Sequence, residues 1–178
     1  MPEIAPKPLS IRLLTPHDAS AYCSLRLRAL IDHPEAFTSS AEEEAGKPLS
    51  WTEARLTADA GKAHDLFLGA FLDDRLIGMV GLQGRYRPKE RHNATVVGLF
   101  VAPEAGGRGV GLALMRDLLA RAQAQPDLMQ LDLTVTGGND AAQNLYARCG
   151  FTVFGVLPRA IQVGGRYYAK VHMVMTLR

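Results

Sequence analysis

Apolar and polar positions fall along this chain in short runs, and the runs name its elements in order. Residues 10–14, Ser-Ile-Arg-Leu-Leu, predict a first strand. Thr15-Pro16-His17-Asp18 then supplies a capping Thr, a Pro at the first helical position and an acidic residue three places on. The helix it opens carries Tyr22, Leu25 and Leu30 among its apolar positions and ends at His33-Pro34. Residues 36–47 are polar and acidic and read as a loop or a broken helix. A second helix over 49–60 forms around Trp51 and Leu56 and closes at Gly61. Two apolar runs, 65–72 and 75–83, flank Asp73-Asp74 and predict a hairpin. A charged loop over 84–93 leads into a fourth strand at 94–101.

That strand runs straight into a turn with glycines at 106, 107, 109 and 111, then into a helix over 112–121. A fifth strand over 128–135 and a helix after Asn139 follow. A last pair of strands, 151–157 and 166–177, turns at Gly164-Gly165. The order β-α-α-β-β-β-α-β-α-β-β predicts one α/β (α+β) domain over 9–178. Its sheet is mixed, mostly antiparallel, with six to seven strands and about four helices. Gly98, isolated inside the fourth strand, marks either a bulge or a packing contact with a bulky neighbour. Residues 1–8 hold three prolines and no apolar signal core, and read as a disordered tail.

Composition narrows the classes. At 178 residues the chain has the length for one domain with a sizeable core. Apolar residues at 47% and charged residues at 21% make a soluble globular balance. A net charge of +2 is too mild to signal nucleic-acid binding, and it is compatible with an anionic ligand. Cys23 and Cys149 stand far apart and suggest no disulfide framework, which fits a reducing cytoplasm. No apolar run approaches the roughly 20 residues of a membrane span. The histidines and cysteines show no metal-ligand spacing, so no metal is expected.

The glycine turn is where chemistry enters. Glycines let the backbone approach a ligand without Cβ interference. The helix that follows has unpaired N–H groups and a dipole that attract anions, so the turn is either a phosphate or pyrophosphate seat or a plain helix entry. A Walker loop needs Lys and Ser or Thr after its last Gly, and here Leu112 and Ala113 follow Gly111. A Rossmann fingerprint starting at Gly109 would read G-V-G-L-A-L and lacks its third Gly. A second segment changes the weighting: Asn139, Ala142, Leu145, Tyr146, Arg148, Gly150 and Phe151. With the turn at 106–111 and the Val101-x-Pro103 before it, this segment resembles the GNAT superfamily of acyl-CoA-dependent N-acyltransferases. The resemblance covers roughly residues 9–178. One departure stands out: Gly106 occupies a position where that family carries Gln or Arg. Only the backbone N–H of Gly106 is then kept, and Arg108 is the substitute for the missing positive charge.

The resemblance implies an enzyme that moves an acetyl group from acetyl-CoA to a primary amine of a small molecule, peptide or protein. It implies fourth and fifth strands that splay apart, with the coenzyme A pantetheine between them. The cofactor-binding positions it designates are Leu99, Phe100, Val101, Gly106, Gly107, Arg108, Gly109, Val110, Gly111, Asn139, Ala142 and Tyr146. Amides near residues 99–101 would stabilise the oxyanion and Tyr146 would protonate the leaving thiolate. A tyrosine on an apolar helix face is otherwise a core residue, and Asn139 is otherwise a plain helix cap. The alternative function is a non-catalytic acyl-CoA-binding or sensor domain on the same fold. A homodimer is compatible with the sequence; nucleic acid and membrane partners are not expected.

No general base stands out. Residues 94–97 carry no carboxylate, leaving as weak substitutes His92, otherwise a surface residue, and Asp132, otherwise bonded to a neighbouring backbone or side chain; a water chain to no single base is the remaining route. Glu42-Glu43-Glu44 falls in the segment that shapes the acceptor pocket in that family. It would favour a cationic amine if it lined the pocket, and is otherwise a solvated charge run. Arg85, Arg87, Lys89 and Arg91 alternate through the charged loop and read first as a solvated surface, second as a site for an acidic substrate or RNA.

Overall fold

The computed structural model describes residues 8–178; the expected tail lies outside them apart from Pro8. The strands are β1 (Ser10–Leu13), β2 (Leu66–Leu72), β3 (Arg75–Gly84), β4 (Asn93–Val101), β5 (Gln130–Thr136), β6 (Thr152–Val163) and β7 (Arg166–Thr176). They form one sheet in the order β1-β2-β3-β4-β5-β7-β6. Only β4 and β5 pair in parallel; the other neighbours are antiparallel. The helices are α1 (Ala19–Asp32), α2 (Ala41–Ala45), α3 (Leu49–Leu56), α4 (Val110–Gln123) and α5 (Asp140–Arg148).

β2 shows why the apolar runs were continuous. Its residues alternate between two cores, as strand geometry requires. Phe67 and Phe71 face a cluster with Tyr22, Leu25 and Ala29 of α1 and Leu56 of α3. Leu68 and Ala70 face the opposite cluster with Leu114, Met115 and Leu118 of α4. A sheet covered on both sides loses the polar half of its alternation. The helices thus sandwich the sheet.

β4 and β5 part company in the middle of the sheet. They pair at Asn93↔Gln130, Ala94↔Leu131 and Thr95↔Asp132, and nowhere beyond. Both strands nevertheless run on, to Val101 and Thr136. A bulge accompanies the fork. Opposite β3, Val97 pairs with Gly81 and Phe100 with Met79, so Gly98 and Leu99 together face one residue. Gly98 sits at φ +64. A Cβ there would stand 3.7 Å from Arg26 Nη1, which is ordinary contact. The glycine is therefore required by its left-handed backbone and not by crowding. The last rung is fastened by side chains. The Thr95 hydroxyl donates to Asp132 Oδ1 at 2.6 Å, and the Arg85 guanidinium donates to Asp132 Oδ2.

Three boundaries differ from the sequence reading. Residues 36–47 are not wholly irregular: Ser40 and Glu43 make a reciprocal capping box that opens α2, giving five α-helices among the described residues. α3 stops at Leu56 because Thr57 is extended, and Asp59 takes the Gly61 N–H in a separate tight turn. β6 does not end at Leu157. It passes Pro158 and a bulge, with Arg159 at φ 51, and resumes pairing at Ile161↔Tyr168. β6 is the last strand of the sheet, and an edge strand tolerates a proline that donates nothing outward.

Candidate active site

The glycine turn is shaped as an anion seat. Gly107 and Gly109 hold φ +73 and +72, and a Cβ added at either would meet nothing within 4 Å. The first backbone hydrogen bond of α4 runs from Ala113 N–H to the Gly109 carbonyl at 3.0 Å. The N–H groups of Val110, Gly111 and Leu112 therefore lack helical acceptors and point out of the helix start. This donor set suits a pyrophosphate. Gly106 departs from expectation: its N–H donates to the Pro103 carbonyl at 3.0 Å and is engaged within the turn. Among residues 106–111 the Gly106 N–H is therefore already engaged within the turn. Arg108 is exposed and forms no ion pair among the described residues.

From Gly111 a cleft of about 820 Å³ follows the gap between β4 and β5. Leu99, Phe100, Val101, Asn139 and Ala142 all line it. Gly106 to Val110 lie outside this lining, just before Gly111. The Ala102 N–H donates to the Ile77 carbonyl of β3 at 2.8 Å. Successive amides of a strand point to opposite edges, so the Val101 N–H faces the gap, where β5 offers no pairing. Asn139 caps α5 by accepting the Ala142 N–H at 3.2 Å.

A second cavity of about 410 Å³ adjoins the cleft on the side of α1 and α3. The two share Phe37, Leu99, Asn139 and Ala142 as walls. Tyr146 lines the second cavity, with only 8% of its surface exposed. Its ring meets Phe151 edge-on at 6.2 Å. Its hydroxyl makes no hydrogen bond among the described residues. Burial, with the neighbouring Cys149 second, pushes the phenol pKa well up, so the proton is held throughout ordinary pH.

The two weak base candidates are elsewhere. Asp132 is held by Thr95 and Arg85 at the fork and lines neither cavity. His92 is exposed at the start of β4, beside the Asn93 amide at 3.1 Å. The basic loop divides: Arg85 closes the fork, while Arg87, Lys89 and Arg91 are exposed. The acidic run is largely solvent-facing. Glu43 caps α2, Glu42 is exposed, and Glu44, the one member lining the cavity, is ion-paired to Lys47 at 3.0 Å. The cavity instead gathers Arg26, Lys47, Arg55 and Lys170. Sequence reasoning missed Arg26, Arg55 and Lys170. On amphipathic helices a cation reads as solvent-facing, and Lys170 sits in an ordinary strand alternation.

A parallel pair that opens over a helix-start amide cluster, with a protonated phenol beside the opening, is the arrangement that the resemblance to acyl-CoA-dependent N-acyltransferases implies. Comparison with known proteins agrees: residues 27–151 match the model of the Acetyltransferase (GNAT) family, and the chain belongs to that family. A phosphinothricin N-acetyltransferase from Alcaligenes faecalis is 33% identical over 145 residues, covering 79% of this chain and 71% of that protein. A GNAT-family acetyltransferase from Streptococcus pneumoniae superposes with a TM-score of 0.87 at 24% identity, over 95% of this chain and 99% of that one. The yncA acetyltransferase of Salmonella typhimurium, solved with its cofactor acetyl-CoA, superposes with a TM-score of 0.79 at 21% identity, over 97% and 95% of the two chains. The chain is an acetyl-CoA-dependent N-acetyltransferase. No helix among the described residues is long and apolar enough to cross a membrane.

Proposed function

We propose that this enzyme transfers an acetyl group to the primary amine of a small molecule by direct attack, with both substrates bound at once. The observation that carries this reading is the meeting of two cavities. The cleft along β4 supports the acyl donor, the cavity under α1 and α3 supports the acceptor, and they share the wall at Leu99, Asn139 and Ala142. Acetyl-CoA supplies an activated acyl carbon and a thiol leaving group. The amides of Val110, Gly111 and Leu112 hold its pyrophosphate at the α4 start. The gap-facing Val101 N–H stabilises negative charge developing on the acyl oxygen. The Tyr146 hydroxyl donates its proton to the departing sulfur. No carboxylate besides the ion-paired Glu44 lines the acceptor cavity among the described residues, so the amine loses its proton to solvent rather than to a dedicated base. Free-thiol release from acetyl-CoA over an amine panel tests this. Saturable, amine-dependent release is expected. Tight acetyl-CoA binding with no release on any amine would instead identify a sensor domain.

Arg108 supports the seat electrostatically, since it is exposed and unpaired beside the glycine amides. Arg108→Ala is expected to weaken coenzyme A binding more at low salt than at high salt, because exposed charges are screened within about 10 Å at 0.1 M. Calorimetry at two ionic strengths reads this. Equal losses at both would assign Arg108 a packing role.

A further inference from the structure

The acceptor cavity holds more positive charge than the fold itself requires. Its lining carries four cations, Arg26, Lys47, Arg55 and Lys170, against the single carboxylate Glu44. Lys47 and Glu44 satisfy each other at 3.0 Å. The remaining three come from α1, α3 and β7, elements distant in sequence that converge on one space. No ion pair ties any of them to a carboxylate among the described residues. Glu44 acts on Arg26 only at a distance. Arg26 Nη1 and Arg55 Nε are buried and have no hydrogen-bond partner. Lys170 is 7% exposed, and its ammonium donates to two uncharged oxygens, Thr136 Oγ1 at 3.0 Å and the Ala36 carbonyl at 3.4 Å. An ammonium has three donors, so one remains.

Stacking does not account for this arrangement. The Arg26 guanidinium lies 4.8 Å from the Phe37 ring centre. Arg55 lies 5.2 Å from Trp51 and 4.6 Å from Phe67. Rings engage the face of a guanidinium and leave its in-plane N–H fork free, and that fork matches a carboxylate. Coenzyme A does not account for it either, since none of residues 106–111 lines this cavity. Buried cations without counter-ions are costly, and burial alone drives the Lys170 pKa down. A ligand anion would offset that cost. Arg26 also stands next to the β4 bulge, 3.7 Å from where a Gly98 Cβ would be, which brings its charge to the fork itself.

We propose that the acceptor is a small amino acid, and that Arg26, Arg55 and Lys170 bind its carboxylate while its amine faces the gap between β4 and β5. This rests on the acetyltransferase reading of the same site. It excludes polyamines and peptide N-termini as preferred acceptors, since the former add positive charge to a cationic space and the latter lack the free α-carboxylate.

The test uses the intact enzyme and matched ligands. L-alanine, L-leucine, L-phenylalanine and L-glutamate are assayed beside their carboxamides and their decarboxylated amines, by thiol release. At least one acid is expected to exceed its carboxamide and amine by about 10- to 100-fold in kcat/KM, the span set by one ionic hydrogen bond. That preference is expected to collapse in Arg26→Gln, Arg55→Gln and Lys170→Met, with acetyl-CoA affinity kept as proof of folding, and to return in part in Arg26→Lys. A carboxamide or amine preferred over its acid in all four series overturns the proposal and leaves the acetyltransferase reading intact. If no amine releases thiol, the acetyltransferase reading fails by itself. The anion site is then read by calorimetry with the N-acetylated acids against their N-acetylated carboxamides. Tighter binding of an acid is expected; equal or reversed affinity in every pair overturns the site.

Discussion

Tyr146→Phe is expected to lower single-turnover acetyl transfer by about 10²–10⁴-fold, the usual worth of a positioned general acid. The substitution keeps the ring, its edge-on contact with Phe151 and its burial, and removes one proton. Acetyl-CoA affinity and thermal stability should therefore hold. A hydroxyl bonded inside the core would give a different pattern, because its removal would strand a partner and lower stability. Here the hydroxyl has no such partner among the described residues. Its proton is also secure: burial disfavours the phenolate, so the acid form persists across any practical assay pH. Unchanged turnover in Tyr146→Phe would make the residue a packing element. Weakened acetyl-CoA binding with normal turnover at saturation would make it a positioning residue. Product release can hide part of a chemical defect at steady state, which is why the single-turnover rate is the proper readout.

The legible and illegible parts of this molecule divide along a physical line. Elements were readable wherever a local rule acts. The Asp73-Asp74 hairpin and the helix start at Asn139 each follow from turn or cap requirements that a few neighbouring residues impose. Gly98 illustrates the limit of such rules. A lone glycine in a strand left packing and bulge equally open, and only the φ of +64 and the pairing shift to Gly81 and Met79 choose the bulge. The capping box at Ser40 and Glu43 was also local, yet it lay hidden in a segment whose charge drew attention first. The cation-lined cavity could not be read in advance. Arg26, Arg55 and Lys170 meet only through the packing of α1 and α3 against the sheet and the pairing of β7 with β5. Asp132 stayed ambiguous in the sequence for a related reason. A carboxylate in a central strand suggests chemistry, but its partners Arg85 and Thr95 are 47 and 37 residues away, and no local pattern announces them.

Gly98→Val is expected to damage both stability and acetyl-CoA binding, chiefly through the backbone. A Cβ at the position makes only ordinary contact with Arg26 Nη1, so the left-handed φ is the main source of strain. A β-branched residue forced there costs about 1–3 kcal/mol. In a domain of this size that lowers Tm by roughly 2–4 °C per kcal/mol. The chain has one escape, which is to remove the bulge by slipping β4 one residue against β3. A one-residue slip reverses every side chain beyond it. Phe100 would leave the cluster it shares with Met79 and Tyr22, and the Val101 N–H would turn from the gap back to β3. The escape is therefore more costly than the strain, and either route disturbs the Val101 amide that faces the gap. Gly98→Asn should fall between glycine and valine, because Asn accepts the left-handed region at lower cost. Gly155→Ala serves as the comparison: its φ is ordinary, open space surrounds it, and it should leave Tm and binding close to the parent values. The order glycine, asparagine, valine in both Tm and acetyl-CoA affinity is the signature of a bulge that holds the cleft open. A valine variant with parental Tm and parental turnover would mean that the fork depends on the Thr95–Asp132–Arg85 fastening and not on the bend in β4.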